Sequence, residues 1–463
     1  MIPLRLSEVA AIVGGITIGD TDPTITGPVE FDSRAITEGG LFVAFEGAKV
    51  DGHDYAETAL AAGAVAVLGT REVATPMVLV ADPLAAMGAL ARAVIDRLPR
   101  LRVVAVTGSS GKTSTKDLIA QLLTRLGPTV APPGSFNNEL GLPHTVLCSD
   151  ADTRFLVLEM GARGVGHLSY LCGIAPPHVA VEVNVGVAHI GEFGSVENIA
   201  IAKRELVEAL SRDGVAVLNS DDDRVRAMAA HTLGRVVLAG EAADAEVRAV
   251  DVVLDERGRP SFTLATPEGS VEVRLRLTGR HQVTNVTLAA AVARSHGMDV
   301  AELGVALNEL RPVSTRRMDV FDRTDGVTVI DDSYNANPAS VEVALRALIA
   351  IGAGRRTVAV LGYLAELGDH ERAGHELVGQ LAAQIGVDLV VVVGDAARGI
   401  HEGAVSQPAW GGTSVLVTDQ DAAVTLLGGR LCPGDVVLVK GSRYRTWEVA
   451  DHLRAAVDEV VAP

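Results

Sequence analysis

The sequence predicts an α/β protein of three domains: a smaller N-terminal α/β domain over residues 1–98, a central P-loop-type, mostly parallel sheet over 99–311, and a C-terminal doubly wound, Rossmann-like sheet over 312–463. Three observations predict it. The 463 residues exceed one ordinary domain. An apolar strand, "LRVVAV", runs straight into a glycine loop and a helix, "TGSSGKTSTKDLIAQLLTRLG". Beyond Arg311-Pro312, apolar runs that each end in a polar loop alternate with helical stretches, the pattern of a sheet covered on both faces.

In the first domain, "MIPLRLSEVAAIVGG" reads as a helix, because Glu8 interrupts its apolar run and no basic segment precedes it, as a signal peptide would require. The turns at Gly39-Gly40 and Gly47 bracket a strand, "LFVAFE", and the helix "YAETALAAG" stops at Gly63. In the second, Leu118, Leu122 and Leu126 share one face of the helix after the glycine loop, which Gly127-Pro128 ends. "RFLVLEMGA" and "HVAVEVNVG" supply further strands. In the third, "VTVIDDSYNANP", "RTVAVLGYLAELG", "VDLVVVVGDA" and "GDVVLVKGS" are strands with polar exits, and "SVEVALRALIAIG" is a helix.

Composition narrows the function. A net charge of −18 without a Lys/Arg block of five or more argues against a nucleic-acid partner, which needs clustered cations. Three scattered cysteines, with no C-x-x-C pair, are the usage of a reducing compartment. No run reaches the roughly 18 apolar residues of a membrane span. A cytoplasmic protein is expected.

The loop Gly108-Ser109-Ser110-Gly111-Lys112-Thr113-Ser114 carries the chemistry. Its glycines let backbone N–H groups close on phosphate oxygens at a helix N-terminus. Lys112 supplies a point charge for the β- and γ-phosphates, and the Thr113 hydroxyl can ligate magnesium. The loop is shorter than G-x-x-x-x-G-K-[ST], with Val106 where the first glycine would stand. Glu159 ends the strand "FLVLE", where a metal-ligating acid or a plain ion-pair partner would fit equally. His189 by itself reads as a hydrogen-bonded loop residue, and Lys203 as a solvated lysine in an i,i+4 network with its neighbouring acids. The crowded loop "DDSYNANP" holds more polar residues than an N-cap needs, which favours ligand binding at Tyr334 and Asn335.

The chain resembles the Mur ligases, ATP-dependent amide ligases of bacterial cell-wall synthesis that share the shortened loop. Ten stretches carry the resemblance in order along nearly the whole chain: "DSR" with "DGHDYAETALAAGAVAV", "TGSSGKTSTKD", "FNNELGLP", "LEMGARGVGHL", "NVGVAHIGEFGS", "ENIAIAKREL", "GRHQVTNVTLAAA", "STRRMDV", "DDSYNANP" and "VKGSR". Within the family, "FNNELGLP", "DDSYNANP" and the "LGxxxELG" stretch followed by His375 are similar to the member that adds D-alanyl-D-alanine to UDP-N-acetylmuramoyl-tripeptide. The Asp-Asn-Pro-Arg motif of the sibling that adds a diamino acid is missing.

The resemblance implies ATP and Mg2+ as cofactors, with Thr113, Glu159, His189 and a carbamylated Lys203 around the metal. It implies that Asn137 and Asn138 lie near the γ-phosphate and substrate carboxylate, that Asn285, in an H-x-x-x-N pattern with His281, lies near the nucleotide, and that Arg317 and Asp332 reach it from the third domain. Ser33 and Arg34 would hold the uridine diphosphate end. Two positions depart from the family: Tyr363 replaces an Asp, and Gln282 replaces an Asn. A monomer is expected, and the third domain is expected to close on the second. Rival readings are the sibling ligase that adds a diamino acid, a folate polyglutamylase, which needs no nucleotide-sugar pocket, and a P-loop switch ATPase, which would hydrolyse ATP without an acceptor.

Overall fold

A computed structural model describes residues 1–47, 49–73, 75–186 and 190–458. Three main sheets organise the chain, in line with a three-domain α/β fold. The first has five strands, in the order Ile16–Ile18, Met77–Leu79, Ala64–Gly69, Gly40–Val43 and Val29–Glu30, parallel except for its first edge. Leu4–Arg5 and Thr24–Ile25 pair separately.

The second sheet has nine strands. Thr129–Val130, Phe155–Glu159, Arg102–Thr107, Val179–Glu182, Val215–Asn219, Arg235–Gly240 and Val247–Leu254 run parallel in that order. Pro260–Thr266 and Gly269–Arg274 then continue it as an antiparallel meander. Central strands such as Val103-Val104-Ala105-Val106 are buried on both faces and therefore read as unbroken apolar runs. The meander has one wetter face, and alternates accordingly. Arg102–Thr107 lies between strands that follow it in opposite directions across the sheet, so its carboxyl end is a topological switch point, where ligands bind in such sheets.

The third sheet has six strands, in the order Asp319–Asp322, Thr328–Asp331, Val436–Lys440, Thr357–Leu361, Leu389–Val393 and Thr413–Val417, all parallel but the first. The helices Pro338–Gly352 and Glu371–Gln384 cover one face, and Trp447–Asp458 the other.

The cores connect the units unequally. One continuous apolar cluster runs from Leu6, Leu41 and Leu90 of the first sheet's layer to Val103, Leu142 and Ile199 of the second. The third sheet keeps two clusters of its own. Polar contacts join it to the rest. The Ser314 hydroxyl donates to Asp117 Oδ2 (2.6 Å), and the Gln121 side chain pairs with the Arg311 carbonyl (3.0 Å) and N–H (3.1 Å). This clasp fixes the linker onto the helix Lys112–Thr124, beside a small cleft lined by Asp117, Leu118, Pro312 and Ser314. Further out, a glycine seam closes the gap: a Cβ on Gly191 would lie 2.5 Å from the backbone nitrogen of Gly368.

Candidate active site

The strand Arg102–Thr107 ends in the loop 108–111, and Gly111, at φ +76°, turns the chain into the helix Lys112–Thr124. The conformation favours glycine, and so does the space: a Cβ there would lie 2.9 Å from Asn285 Oδ1. Asn184, at the exit of the neighbouring strand, accepts the Ser110 N–H on its side chain (2.9 Å) and the Ser109 N–H on its carbonyl (3.0 Å). The Lys112 ammonium donates to the Gly108 carbonyl (2.9 Å), and burial pushes its pKa down, partly offset by Glu159.

Glu159 emerges from the next strand 1% exposed. A buried carboxylate must have its lone pairs occupied, and each oxygen is. Oε2 accepts from Thr113 Oγ1 (2.7 Å), and Oε1 accepts from Ser135 Oγ (2.8 Å) and Asn137 Nδ2 (2.7 Å). Asn138 Oδ1 accepts the Gly141 N–H (2.9 Å), capping the turn before the helix Gly141–Leu147. The segment carrying these amides is anchored by Lys116, whose buried ammonium donates to the carbonyls of Pro132 (2.5 Å) and Gly134 (3.2 Å) and pairs with Asp117 (2.6 Å).

The third sheet contributes the opposite wall. Arg317 stacks on the Tyr334 ring at 4.0 Å and donates to Thr113 Oγ1 (3.2 Å). Asp332 pairs with Lys440 (2.5 Å) and accepts the Met318 N–H (3.1 Å); Lys440 also donates to the Asn335 carbonyl (3.0 Å). The loop 332–335 and Arg317 are therefore held as one unit.

These groups surround a cavity of about 450 Å3. It gathers Ser109 to Ser114, Asn137, Asn138, Glu159, Asn285, Arg317, Asp332, Tyr334 and Asn335. Two nitrogens beside it, Arg317 Nε and His281 Nδ1, are buried without a partner among the described residues. The Arg317 Nε–H is an orphaned donor, and such a group fits an anionic ligand. Asn285 is oriented by Gln282, whose Oε1 accepts from Asn285 Nδ2 (3.0 Å), while Asn285 Oδ1 accepts from Thr115 (3.2 Å). The side-chain amide at position 282 is thus in use.

Other expected residues lie elsewhere. Lys203 sits behind the cavity on the helix Val196–Glu208, 5% exposed, where burial and the Lys112 ammonium push its pKa down to about 7. Its neighbour Glu182 is fully buried and its carboxyl is pushed well up by that burial, with no hydrogen-bond partner on either oxygen among the described residues. Ser33 and Arg34 are outside the cavity, and the exposed Arg34 guanidinium forks onto Asp32 (2.9 and 2.7 Å). His189 lies outside the described residues. Tyr363 is also outside the cavity: its hydroxyl donates to Glu371 Oε2 (2.8 Å), and burial with that bond raises its pKa to about 12. His375 is a structural residue, accepting the Leu364 N–H on Nε2 (3.0 Å) and donating to the Glu371 carbonyl (2.7 Å).

Among the residues of the site that the sequence reading did not assign are Ser135, Arg163, Asn184 and Lys440. Each falls inside a stretch quoted above or beside one, but nothing in periodicity separates them from their polar neighbours.

A phosphate loop, a buried acid at the next strand's end and an arginine brought in from a second sheet define a nucleotide-dependent enzyme. Three family profiles match in order: "Mur ligase family, catalytic domain" over residues 27–109, "Mur ligase middle domain" over 106–293 and "Mur ligase, glutamate ligase domain" over 316–443. The chain belongs to the Mur ligase family and is an ATP-dependent ligase. It is 47% identical to the UDP-N-acetylmuramoyl-tripeptide–D-alanyl-D-alanine ligase of Mycobacterium tuberculosis, covering 100% of this chain and 98% of that one. Among solved structures, the UDP-N-acetylmuramoylalanyl-D-glutamyl-2,6-diaminopimelate–D-alanyl-D-alanyl ligase of Acinetobacter baumannii matches with TM-score 0.82 and 29% identity, over 99% of this chain and 98% of that one. The MurF ligase of Thermotoga maritima, in complex with ADP, matches with TM-score 0.80 and 30% identity, over 94% and 99%.

No described helix is long and apolar enough to cross a membrane.

Proposed function

We propose that the chain joins the carboxylate of UDP-N-acetylmuramoyl-tripeptide to the amine of D-alanyl-D-alanine, with ATP cleaved to ADP and phosphate. The carrying observation is the cavity in which Lys112, Glu159, Asn137 and Arg317 converge from two sheets. The full-length likeness to D-alanyl-D-alanine ligases supports the substrates, and no observation favours the switch-ATPase reading.

A carboxylate is a poor electrophile, so it first attacks the γ-phosphorus, displacing ADP and forming an acyl phosphate. That step needs positioning and charge neutralisation more than covalent chemistry. Lys112 and the helix N-terminus hold the phosphates, Arg317 adds a second cation from the third domain, and the Asn137 and Asn138 amides orient the carboxylate. The dipeptide amine then attacks the acyl carbon, loses a proton, and phosphate leaves. With a pKa of about 8, a useful fraction of that α-amine is already neutral near pH 7.

The oxygen donors Thr113 Oγ1 and Glu159 Oε2, 2.7 Å apart beside the phosphate loop, suit a hard cation such as Mg2+. A buried ammonium beside Lys112 does not, so Lys203 joins this set only as a carbamate, with His189 as a further ligand. Magnesium held there supplies charge neutralisation for the phosphates. Ser33 and Arg34 hold the uridine diphosphate end, and Tyr334 and Asn335 the acceptor side. The protein acts as a cytoplasmic monomer whose units span 1–98, 99–311 and 312–463.

The test is phosphate release from ATP with donor and dipeptide supplied singly and together, with mass analysis of the product. Release that requires both, with a UDP-N-acetylmuramoyl-pentapeptide formed, is expected; release indifferent to both overturns the reading.

A further inference from the structure

Arg163 lies on the loop between the strand Phe155–Glu159 and the helix His167–Ile174. That loop is pinned. His167 Nδ1 accepts the Arg163 N–H (3.2 Å), which leaves the proton on Nε2, and Nε2 faces Glu139 Oε2 at 3.3 Å. The Arg163 guanidinium itself has no acceptor among the described residues, although it borders two cavities. One is the nucleotide cavity. The other, of about 350 Å3, opens toward the first domain between the Phe31 and Phe136 rings. Ser135, Asn137, Asn138 and Arg163 line both, so the two are continuous. In the second, Arg163 is the one charged residue among the described lining.

The other cations at the junction are engaged more fully: Lys112 by the Gly108 carbonyl, Lys440 by Asp332, and Arg317, except for its Nε, by Thr113 and Tyr334. In a chain of net charge −18, an unengaged guanidinium between an aromatic cleft and a phosphate site is placed to receive an anion. The anion's class follows from the proposed donor, on which this inference rests. On that reading its peptide extends from the first domain toward Asn137 and carries a D-glutamyl residue, as the name of the Acinetobacter relative states. A glutamyl unit within a peptide keeps one carboxylate free. That carboxylate sits about one residue, or roughly 3.5 Å of chain, before the reacting residue. The donor therefore presents competing carboxylates, and the enzyme must deliver the right one to the γ-phosphate.

We propose that Arg163 is a specificity-determining residue of the donor site, whose guanidinium takes the free carboxylate of the D-glutamyl residue and thereby leaves the terminal one to reach Asn137 and the phosphate. The aromatic cleft of Phe31 and Phe136 carries the apolar part of the same peptide.

The test compares wild type, Arg163→Ala and Arg163→Lys with two donors: UDP-N-acetylmuramoyl-tripeptide with the glutamyl carboxylate free, and the same donor with a carboxamide there. For the free-acid donor, Arg163→Ala raises the donor KM roughly tenfold to a hundredfold, the loss of a charge-assisted hydrogen bond. The KM values for ATP and dipeptide stay at wild-type values. Arg163→Lys falls between, keeping the charge but not the fork. The carboxamide donor is poor for the wild type by a similar factor, and Arg163→Ala makes it no worse. Equal losses on both donors, or a wild-type KM in Arg163→Ala, overturn the proposal. Wild-type enzyme that releases no phosphate with the free-acid donor and dipeptide overturns instead the function on which it rests. Because the side chain is exposed, melting of the variants should match wild type.

Discussion

At the residue scale, Lys203 separates pattern from environment. By charge alone it belongs in water, yet it lies four residues after Ile199 and three before Leu206, both fully buried, on the inward stripe of its helix. That spacing was legible, but an ammonium on an apolar stripe is read as an exception until a buried partner is seen. Its depressed pKa, about 7 against an ordinary 10.5, fixes a sign. Between those values the unfolded chain binds a proton that the folded chain does not, so this group's contribution makes stability rise with pH across the window and is least favourable below it. In protein freed of carbon dioxide, Lys203→Met should flatten that rise, as thermal melts over the same window would reveal. Lys203→Ala should also lose turnover and regain part of it with a short carboxylate; full activity without rescue would remove Lys203 from the metal set. Glu159, by contrast, was legible as a strand-end acid, but its bonds to Ser135 and Asn137 depend on a loop whose path no local pattern encodes.

At the element scale, the helix Lys112–Thr124 does three things at once: its first turn faces the cavity, Lys116 anchors the segment 132–137, and Asp117 holds the linker. Strand, loop and helix were all readable from the sequence. The inward turn of Lys116 was not, because its acceptors are backbone carbonyls of a later segment. Removing one partner of a buried pair leaves the other uncompensated, so Lys116→Met should cost about 3–5 kcal/mol in denaturant unfolding and lower turnover. The meander Val247–Leu254, Pro260–Thr266 and Gly269–Arg274 also went unread. Its alternation and its "DERG" and "PEG" turns are hairpin signals, passed over in the expectation of a mostly parallel sheet. Cysteine environments differ in the same local way. Cys172 is buried on its helix with its thiol pushed up to about 12, while Cys148 and Cys432 are exposed. A thiol reagent should modify two cysteines in the native protein and the third only on unfolding.

At the scale of the whole molecule, the first two sheets share a continuous core while the third is joined mainly through polar contacts and glycines. Rigid-body motion should therefore divide the chain at the linker rather than near residue 98. Nucleotide, by occupying the groups that Arg317 and Thr113 now offer each other, should favour the compact arrangement in solution scattering. Gly191→Ala should oppose it, since its Cβ would meet the Gly368 backbone, and should show a larger radius of gyration with nucleotide together with reduced kcat. An unchanged radius and rate would mean that the seam does not limit closure. Three sheets and their order were legible because strand, loop and helix signals repeat along the chain. The shared core was not, since membership of one apolar cluster by residues as distant in sequence as Leu90 and Leu142 leaves no periodic trace.

The clasp between Asp117 and Ser314 has a pharmacological consequence. It joins the phosphate-loop helix to the linker at a cleft that includes Pro312 and lies to one side of the peptide path through Phe31 and Phe136. A small molecule that took the Ser314 hydroxyl's place on Asp117 would loosen the attachment of the third domain while leaving the peptide path open. Because that cleft shares Ser114 and Arg317 with the nucleotide cavity, its inhibition would fall on nucleotide binding rather than on the donor, and Ser314→Ala would reproduce it.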